Sequence, residues 1–110
     1  MAEDRNRLPE AIRSLERASA YWRDNPRVFN NLAIAYWQSD KIDDAISAFL
    51  QAIKLQPDNP EFTQNVVQLL VQRGRWRDAL PHARKMVQLL PDNFQVKAFL
   101  AQIEENIKNE

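Results

Sequence analysis

Few side chains in this sequence could support acid–base or metal chemistry. His82 is its one histidine, and cysteine is absent, which excludes a thiolate nucleophile, a thiolate metal site and a disulfide. Asp43 and Asp44 are predicted at a helix start, where negative charge complements the helix dipole. His82 is predicted on an exposed helix face, as are Glu104 and Glu105. The sequence also has no glycine-rich phosphate loop, so we expect no catalytic residue, no metal site and no cofactor.

A period of 34 residues organises the chain. The dipeptide Asp-Asn occurs at positions 24–25, 58–59 and 92–93. Three further columns keep the same spacing: Ala11, Ala45 and Ala79; Leu32, Val66 and Leu100; Val28, Phe62 and Val96. A fixed period of this size marks a repeat array, in which each unit contacts its neighbours and the whole presents an extended surface.

Composition narrows the class of protein further. The chain has 110 residues, of which 45% are hydrophobic and 27% are charged, and it contains one glycine. This predicts a single helical domain over residues 1–110, neither disordered nor rich in β-turns. Fifteen basic residues balance fifteen acidic ones, so no net field favours nucleic acid or an acidic membrane. No apolar run has the length of a membrane span, and the polar start is unlike a signal peptide; we expect a cytoplasmic protein.

Capping signals and helical periodicity predict six helices. Asn25, Asn59 and Asn93 are good N-caps, and proline follows the first two at the first helical position. Gly74 is placed to close the fourth helix. The helices are predicted over residues 9–22, 26–39, 43–55, 60–73, 77–90 and 94–108. Short connections require neighbouring helices to lie antiparallel.

Residues 26–57 resemble a tetratricopeptide repeat. The residues that match the pattern of this family are Phe29, Leu32, Tyr36, Ala45, Phe49, Ala52 and Pro57. Ala33 departs from the pattern, because it stands where the family has glycine. The next unit matches more loosely: it keeps Ala79 and Pro91, and it exchanges Phe49 and Ala52 for Ala83 and Met86. That exchange roughly conserves volume, which cores tolerate best.

The resemblance implies an all-α fold, an α-α superhelix or tetratricopeptide solenoid of about two and a half repeats. Residues 9–23 correspond to a half repeat, residues 26–59 and 60–93 to two repeats, and residues 94–108 to a C-terminal capping helix. In this family the first helix of each pair lines a concave groove that receives a partner, so the likeness implies a protein–protein interaction module.

Mapping that groove onto this sequence gives a stripe rich in side-chain amides. Its principal residues are Arg27, Asn30, Asn31, Ile34, Trp37, Gln38, Glu61, Gln64, Asn65, Gln68, Gln72 and Phe99. Val71, Gln95, Ala98 and Gln102 lie on the same stripe. An amide donates and accepts hydrogen bonds at once, which suits an extended peptide recognised through its backbone.

Individual groove residues suggest more detailed expectations. Asn31 and Asn65 resemble two rungs of the asparagine ladder in O-GlcNAc transferase-type repeats; the alternative is that both are merely solvated. Trp37 is the predicted apolar anchor, and the alternative is packing against arginine stems. Arg27 is the one cation of the stripe, which argues against a clamp for the carboxylate of a chaperone tail.

Two other roles compete with peptide binding. The half repeat lacks its preceding helix and carries Leu8, Ile12, Leu15 and Trp22, so this apolar face could form a homodimer. The chain would then be a structural spacer or a self-association unit. Alternatively, it is an accessory domain of a larger enzyme such as a glycosyltransferase.

Overall fold

The computed structural model describes residues 2–110, with side chains described for residues 7–110. That part of the chain contains six α-helices and no strand, as predicted. Their bounds are α1 Ala2–Tyr21, α2 Pro26–Gln38, α3 Ile42–Leu55, α4 Pro60–Gln72, α5 Trp76–Leu89 and α6 Phe94–Lys108. Within residues 2–110 no helix is both long enough and apolar enough to cross a membrane.

Three asparagines fix the starts of α2, α4 and α6. Each has an extended backbone, and each side chain accepts a hydrogen bond from an N–H group that the helix leaves unpaired. The distances are 3.3 Å from Val28 N to Asn25 Oδ1, 3.0 Å from Glu61 N to Asn59 Oδ1, and 3.1 Å from Val96 N to Asn93 Oδ1. These contacts confirm the predicted starts of the three helices.

The turns that close α2 and α4 share one geometry. Asp40 and Gly74, which are 34 residues apart, have φ values of 61° and 70°. In both turns the following residue donates its N–H back to a carbonyl of the last helical turn, from Lys41 to Tyr36 at 2.9 Å and from Arg75 to Leu70 at 2.8 Å. This is the Schellman arrangement, which needs a left-handed residue. Glycine adopts that conformation freely, and aspartate is among the few other residues that tolerate it.

Helix α1 is longer than predicted. It begins at Ala2, so the expected start at Pro9 was wrong and this proline lies inside the helix. The prediction relied on the preference of proline for a first helical position. Pro9 is exposed, and on an exposed face water can replace the hydrogen bond that proline cannot make. Pro81 likewise lies inside α5 on an exposed position, as expected.

The chain packs as two compact units, Met1–Pro57 (unit 1) and Asp58–Glu110 (unit 2). In unit 1, α2 packs against both α1 and α3; in unit 2, α5 packs against both α4 and α6. The buried apolar residues of unit 1 are Ile12, Leu32, Ala33, Ala35, Ala45, Ala48, Phe49 and Ala52. Those of unit 2 are Phe62, Val66, Val67, Leu69, Leu70, Ala79, Ala83, Met86, Val96 and Ile103.

The predicted exchange of large and small residues is present in the two cores. Phe49 and Ala52 are fully buried in unit 1, and Ala83 and Met86 are buried in unit 2. Helices α3 and α5 therefore each combine one long and one short side chain at this level, in opposite order. Ala45 has no exposed surface, which leaves no room for a larger side chain without movement of a neighbouring helix.

Replacement of Ala45 by leucine is expected to lower the free energy of unfolding by about 1–3 kcal/mol, because extra methyl groups overpack a closed contact. Urea unfolding followed by circular dichroism measures the change. Ala101 is an exposed alanine of α6, so Ala101→Leu is the matched control and should be close to neutral. An Ala45→Leu protein as stable as the parent would contradict the packing of α2 on α3.

Candidate functional site

Unit 2 contains an open cavity of about 210 Å³ bordered by α4, α6 and the end of α5. Eight residues line it: Gln64, Gln68, Met86, Leu90, Asn93, Gln95, Val96 and Phe99. Because four of these are apolar and four are amides, the cavity presents two kinds of surface to a ligand.

The apolar residues form what we call the floor of the cavity. Met86 and Val96 are buried, with 3% and 9% of their surface exposed. Leu90 and Phe99 are half-buried. Met86 and Leu90 are four residues apart and share one face at the end of α5 and its cap. A ligand reaching this floor would therefore meet hydrocarbon and a thioether.

The amides form what we call the rim. Gln64 and Gln68 lie one turn apart on α4, and Gln95 lies in the first turn of α6; all three side chains are exposed. Asn93 already accepts the capping hydrogen bond of α6, so its NH₂ group is the part best placed to bind a ligand. The rim thus offers several donors and acceptors but no charge.

The cavity brings together only some of the predicted groove residues. Gln64, Gln68, Gln95 and Phe99 were predicted from the stripe and line it. Glu61, Asn65 and Gln72 belong to α4 but do not line it; Asn65 is half-buried and the other two are exposed.

Sequence reasoning missed four lining residues. Met86 and Leu90 were overlooked because the family resemblance assigns the groove to the first helix of each pair, whereas these lie at the end of a second helix. Asn93 and Val96 were assigned only to capping and to the core. The spacing of Met86 and Leu90 was the one available signal, since it places two apolar side chains on one face.

The predicted groove residues of unit 1 lie in varied environments. Arg27, Asn31 and Gln38 are exposed, and Ile34 is half-buried. Asn30 has only 1% of its surface exposed, so its prediction as a groove-lining residue was wrong. It precedes the fully buried Ala33 by three residues and therefore lies on the buried face of α2.

Trp37 is half-buried, and its ring meets that of Phe49 edge to face, with centroids 6.1 Å apart and planes at 82°. This geometry is favourable for aromatic pairs. The predicted anchor is therefore held against the core of unit 1 while part of its surface stays accessible.

A side-chain hydrogen bond between Tyr36 and Glu16 joins α2 to α1. The Tyr36 hydroxyl donates to Glu16 Oε2 at 2.5 Å. Burial, the hydrogen bond to Glu16 and the negative charges of Glu16 and Asp44 raise the pKa of Tyr36 to about 12. Tyr36 is therefore a neutral donor at physiological pH, and its role here is to hold the two helices together.

His82 is half-buried rather than exposed, so its predicted environment was wrong. Burial lowers the pKa of this imidazole, and the charge of Asp78 opposes that effect. The side chain is neutral at physiological pH. Across the described residues, no group of three or more histidine, aspartate or glutamate side chains could hold a metal ion.

The predicted self-association face is only partly exposed. Ile12 is buried, with 5% exposed, so it was wrongly predicted to be uncovered; it belongs to the core of unit 1. Leu8 and Leu15 are half-buried. Tyr21 and Trp22 remain largely exposed, at 78% and 56%, and their rings stand 4.9 Å apart at 73°.

The tetratricopeptide repeat family matches residues 2–60, which is more than half of the chain. The chain therefore belongs to the tetratricopeptide repeat family, as its residues predicted. No curated protein matches the sequence.

Three solved structures are similar to this chain over most of its length. The first tetratricopeptide domain of Spaghetti (RPAP3), bound to the HSP90 peptide SRMEEVD, is 20% identical with a TM-score of 0.75, covering 96% of this chain and 85% of that one. The Yersinia enterocolitica secretion chaperone SycD, in complex with a peptide of the translocator YopD, is 16% identical with a TM-score of 0.79, covering 98% and 86%. MamA is 18% identical with a TM-score of 0.80, covering 96% of this chain but 58% of its own. These similarities confirm the all-α tetratricopeptide fold.

The bond between Tyr36 and Glu16 gives a pH-dependent prediction. Tyr36→Phe should lower the free energy of unfolding by about 0.5–1.5 kcal/mol at neutral pH. From neutral pH to about pH 10 the deficit should be constant, and between pH 10 and 12 it should narrow, because the unfolded tyrosine ionises first while the folded one stays neutral.

Urea titrations at a series of pH values measure this difference. Tyr21→Phe, at the exposed tyrosine, is the matched control and should show no such deficit at neutral pH. A Tyr36→Phe deficit that persists unchanged to pH 12 would contradict the assignment.

Proposed function

We propose that this chain is a non-enzymatic protein-interaction module that binds an extended peptide segment of a partner protein. The observation that carries the proposal is the open cavity of unit 2, with its amide rim and apolar floor. A combination of an apolar surface with a few convergent polar groups is typical of binding sites.

The amide rim suits an extended backbone. Such a backbone carries one donor and one acceptor per residue, and each glutamine can satisfy both kinds of group. Gln64 and Gln68 are separated by about one helical turn of 5.4 Å, so they can bond to successive parts of one segment. Successive side chains of an extended segment point to opposite sides, so a side chain on the side facing the cavity can contact the floor.

Two of the similar structures support the same class of ligand. The RPAP3 domain was solved with an HSP90 peptide and SycD with a YopD peptide. This chain shares its fold with the RPAP3 domain and with SycD, but function must be argued from the site itself. Here the rim and the floor supply that argument.

The proposal includes the domain organisation predicted from the repeats. Residues 9–23 act as a half repeat, residues 26–59 and 60–93 as repeats, and residues 94–108 as a capping helix, together forming one interaction domain. The partner is a protein or peptide rather than nucleic acid or membrane, since the formal net charge is zero. The location we propose is cytoplasmic.

A peptide array incubated with the purified protein tests the function, and fluorescence anisotropy then gives the Kd of the best peptide. Gln64→Ala/Gln68→Ala should weaken that binding by roughly 5- to 100-fold, since each lost hydrogen bond contributes about 0.5–1.5 kcal/mol. Thermal stability should be unchanged, because both side chains are exposed.

Two further variants complete that experiment. Gln88 is an exposed glutamine of α5 outside the cavity, so Gln88→Ala is the matched control and should bind like the parent. Asn31→Ala/Asn65→Ala tests the asparagine ladder, which expects weaker binding, whereas binding in the cavity alone expects parent-like affinity. Parent-like affinity of the Asn31→Ala/Asn65→Ala protein would eliminate the ladder, and parent-like affinity of the Gln64→Ala/Gln68→Ala protein would eliminate the cavity as the binding site.

Self-association is a second candidate function, favoured by the exposed aromatic pair Tyr21 and Trp22. Exposed aromatic surface often marks an interface. We propose a homodimer through α1, with Tyr21 and Trp22 at its C-terminal end and the half-buried Leu8 and Leu15 adding apolar area further along the same helix.

Sedimentation velocity over a range of concentrations tests the dimer. The parent should shift from monomer to dimer as concentration rises, and Trp22→Ser should weaken dimerisation roughly tenfold, because a large aromatic contact is lost. Phe94, 85% exposed in unit 2, provides the control Phe94→Ser, which should dimerise like the parent. A parent protein that stays monomeric at high concentration would rule out the dimer.

A further inference from the structure

We propose that the cavity of unit 2 selects an internal, uncharged peptide segment that places one apolar side chain on the floor, and that it rejects acidic segments. This inference rests on the proposed function and names the class of peptide.

Charge is the first reason. None of the eight lining residues is charged. A carboxylate moved from water to this apolar floor would lose solvation without gaining a cation, which is costly. A lysine or arginine side chain would meet the same penalty, because no carboxylate lines the cavity either.

The arginines near α5 do not supply the missing countercharge. Arg75 pairs with Asp78 at 2.9 Å, and Arg77 pairs with Glu110 at 2.8 Å. Arg84 lies 4.0 Å from Glu104. None of these arginines lines the cavity, so they place no cation beside an acidic side chain bound in it.

Size is the second reason. A volume of about 210 Å³ is below the roughly 300–1,000 Å³ of sites that enclose a small-molecule ligand. It is suited to a side chain and its adjacent backbone rather than to a cofactor. Met86 forms part of the floor, and the flexible, polarisable thioether of methionine adapts to different apolar shapes. Leucine, methionine and phenylalanine should therefore be accepted with similar affinity.

The rim is the third reason. Neutral glutamines can bond to peptide N–H and C=O groups, but they offer no strong site for a terminal carboxylate, which arginine and lysine bind best. The recognised segment is therefore internal to its own chain. In this respect the cavity is unsuited to acidic sequences such as SRMEEVD, the peptide bound by the RPAP3 domain.

Four short peptides test the inference. Each is acetylated and amidated, with the sequence Ser-Gly-Ser-X-Ser-Gly-Ser and X as Leu, Met, Glu or Lys. NMR titration of the ¹⁵N-labelled protein suits the weak, roughly millimolar affinity expected of so short a segment. The leucine and methionine peptides should shift the side-chain amide signals of Gln64, Gln68 and Gln95 with similar Kd values. The glutamate and lysine peptides should bind at least about tenfold more weakly.

A charge variant gives the matched test. Gln68→Lys places a cation on the rim and should improve the Kd of the glutamate peptide by roughly three- to tenfold. Gln88→Lys introduces the same charge at an exposed site outside the cavity and should leave the preference for leucine unchanged.

The outcomes separate the inference from the function on which it rests. Equal or tighter binding of the glutamate peptide to the parent would overturn the inference while leaving peptide binding intact. A glutamate peptide whose Kd does not improve in Gln68→Lys relative to the parent would also overturn it. If no peptide, in the array or in this series, shifts the cavity amides, both the inference and the proposed function fail.

Discussion

Close packing at small side chains is the constraint on which the structure depends. Ala33, Ala45 and Ala52 in unit 1, and Ala79 and Ala83 in unit 2, have no exposed surface. Where each side chain is a single methyl group, helix backbones can approach closely, and any larger group must displace a helix. That approach sets how neighbouring helices of each unit lie against one another, and so which helix faces, including the amide-bearing face of α4, stay exposed.

One capping contact links this packing to the cavity of unit 2. Asn93 starts α6 through its bond to the N–H of Val96, and both residues also line the cavity. The same local contact therefore fixes where α6 begins and where the cavity has its boundary. Asn25 and Asn59 cap α2 and α4 in the same way, but the cavity draws only on residues after Asn59. Repetition of a capping signal therefore does not by itself reproduce a site.

The two repeats differ in the side chains that they place at equivalent positions of their second helices. Phe49 and Ala52 pack in unit 1, where the Phe49 ring meets Trp37; in unit 2 their equivalents are Ala83 and Met86. The exchange keeps both cores filled and gives the cavity of unit 2 a thioether on its floor. The large side chain of each pair thus contacts Trp37 in one repeat and lines the cavity in the other. A functional role here follows the side chain, not the repeat position.

The sequence alone determined the family, the six helices, the three asparagine caps, the turn at Gly74 and the buried alanines, because period, capping and spacing are local properties of the chain. Only the tertiary structure decided which side chains are accessible. Periodicity placed Asn30, Ile12 and His82 on exposed faces, yet each is at least half-buried. A residue at the edge of a helical stripe is covered or exposed according to how the neighbouring helix lies. The start of α1 escaped prediction because proline is compatible with both a first and an interior position. The positions of Met86 and Leu90 in the cavity lining were missed for a similar reason. The end of α5 meets α6 there, and a local sequence pattern does not show which helices converge.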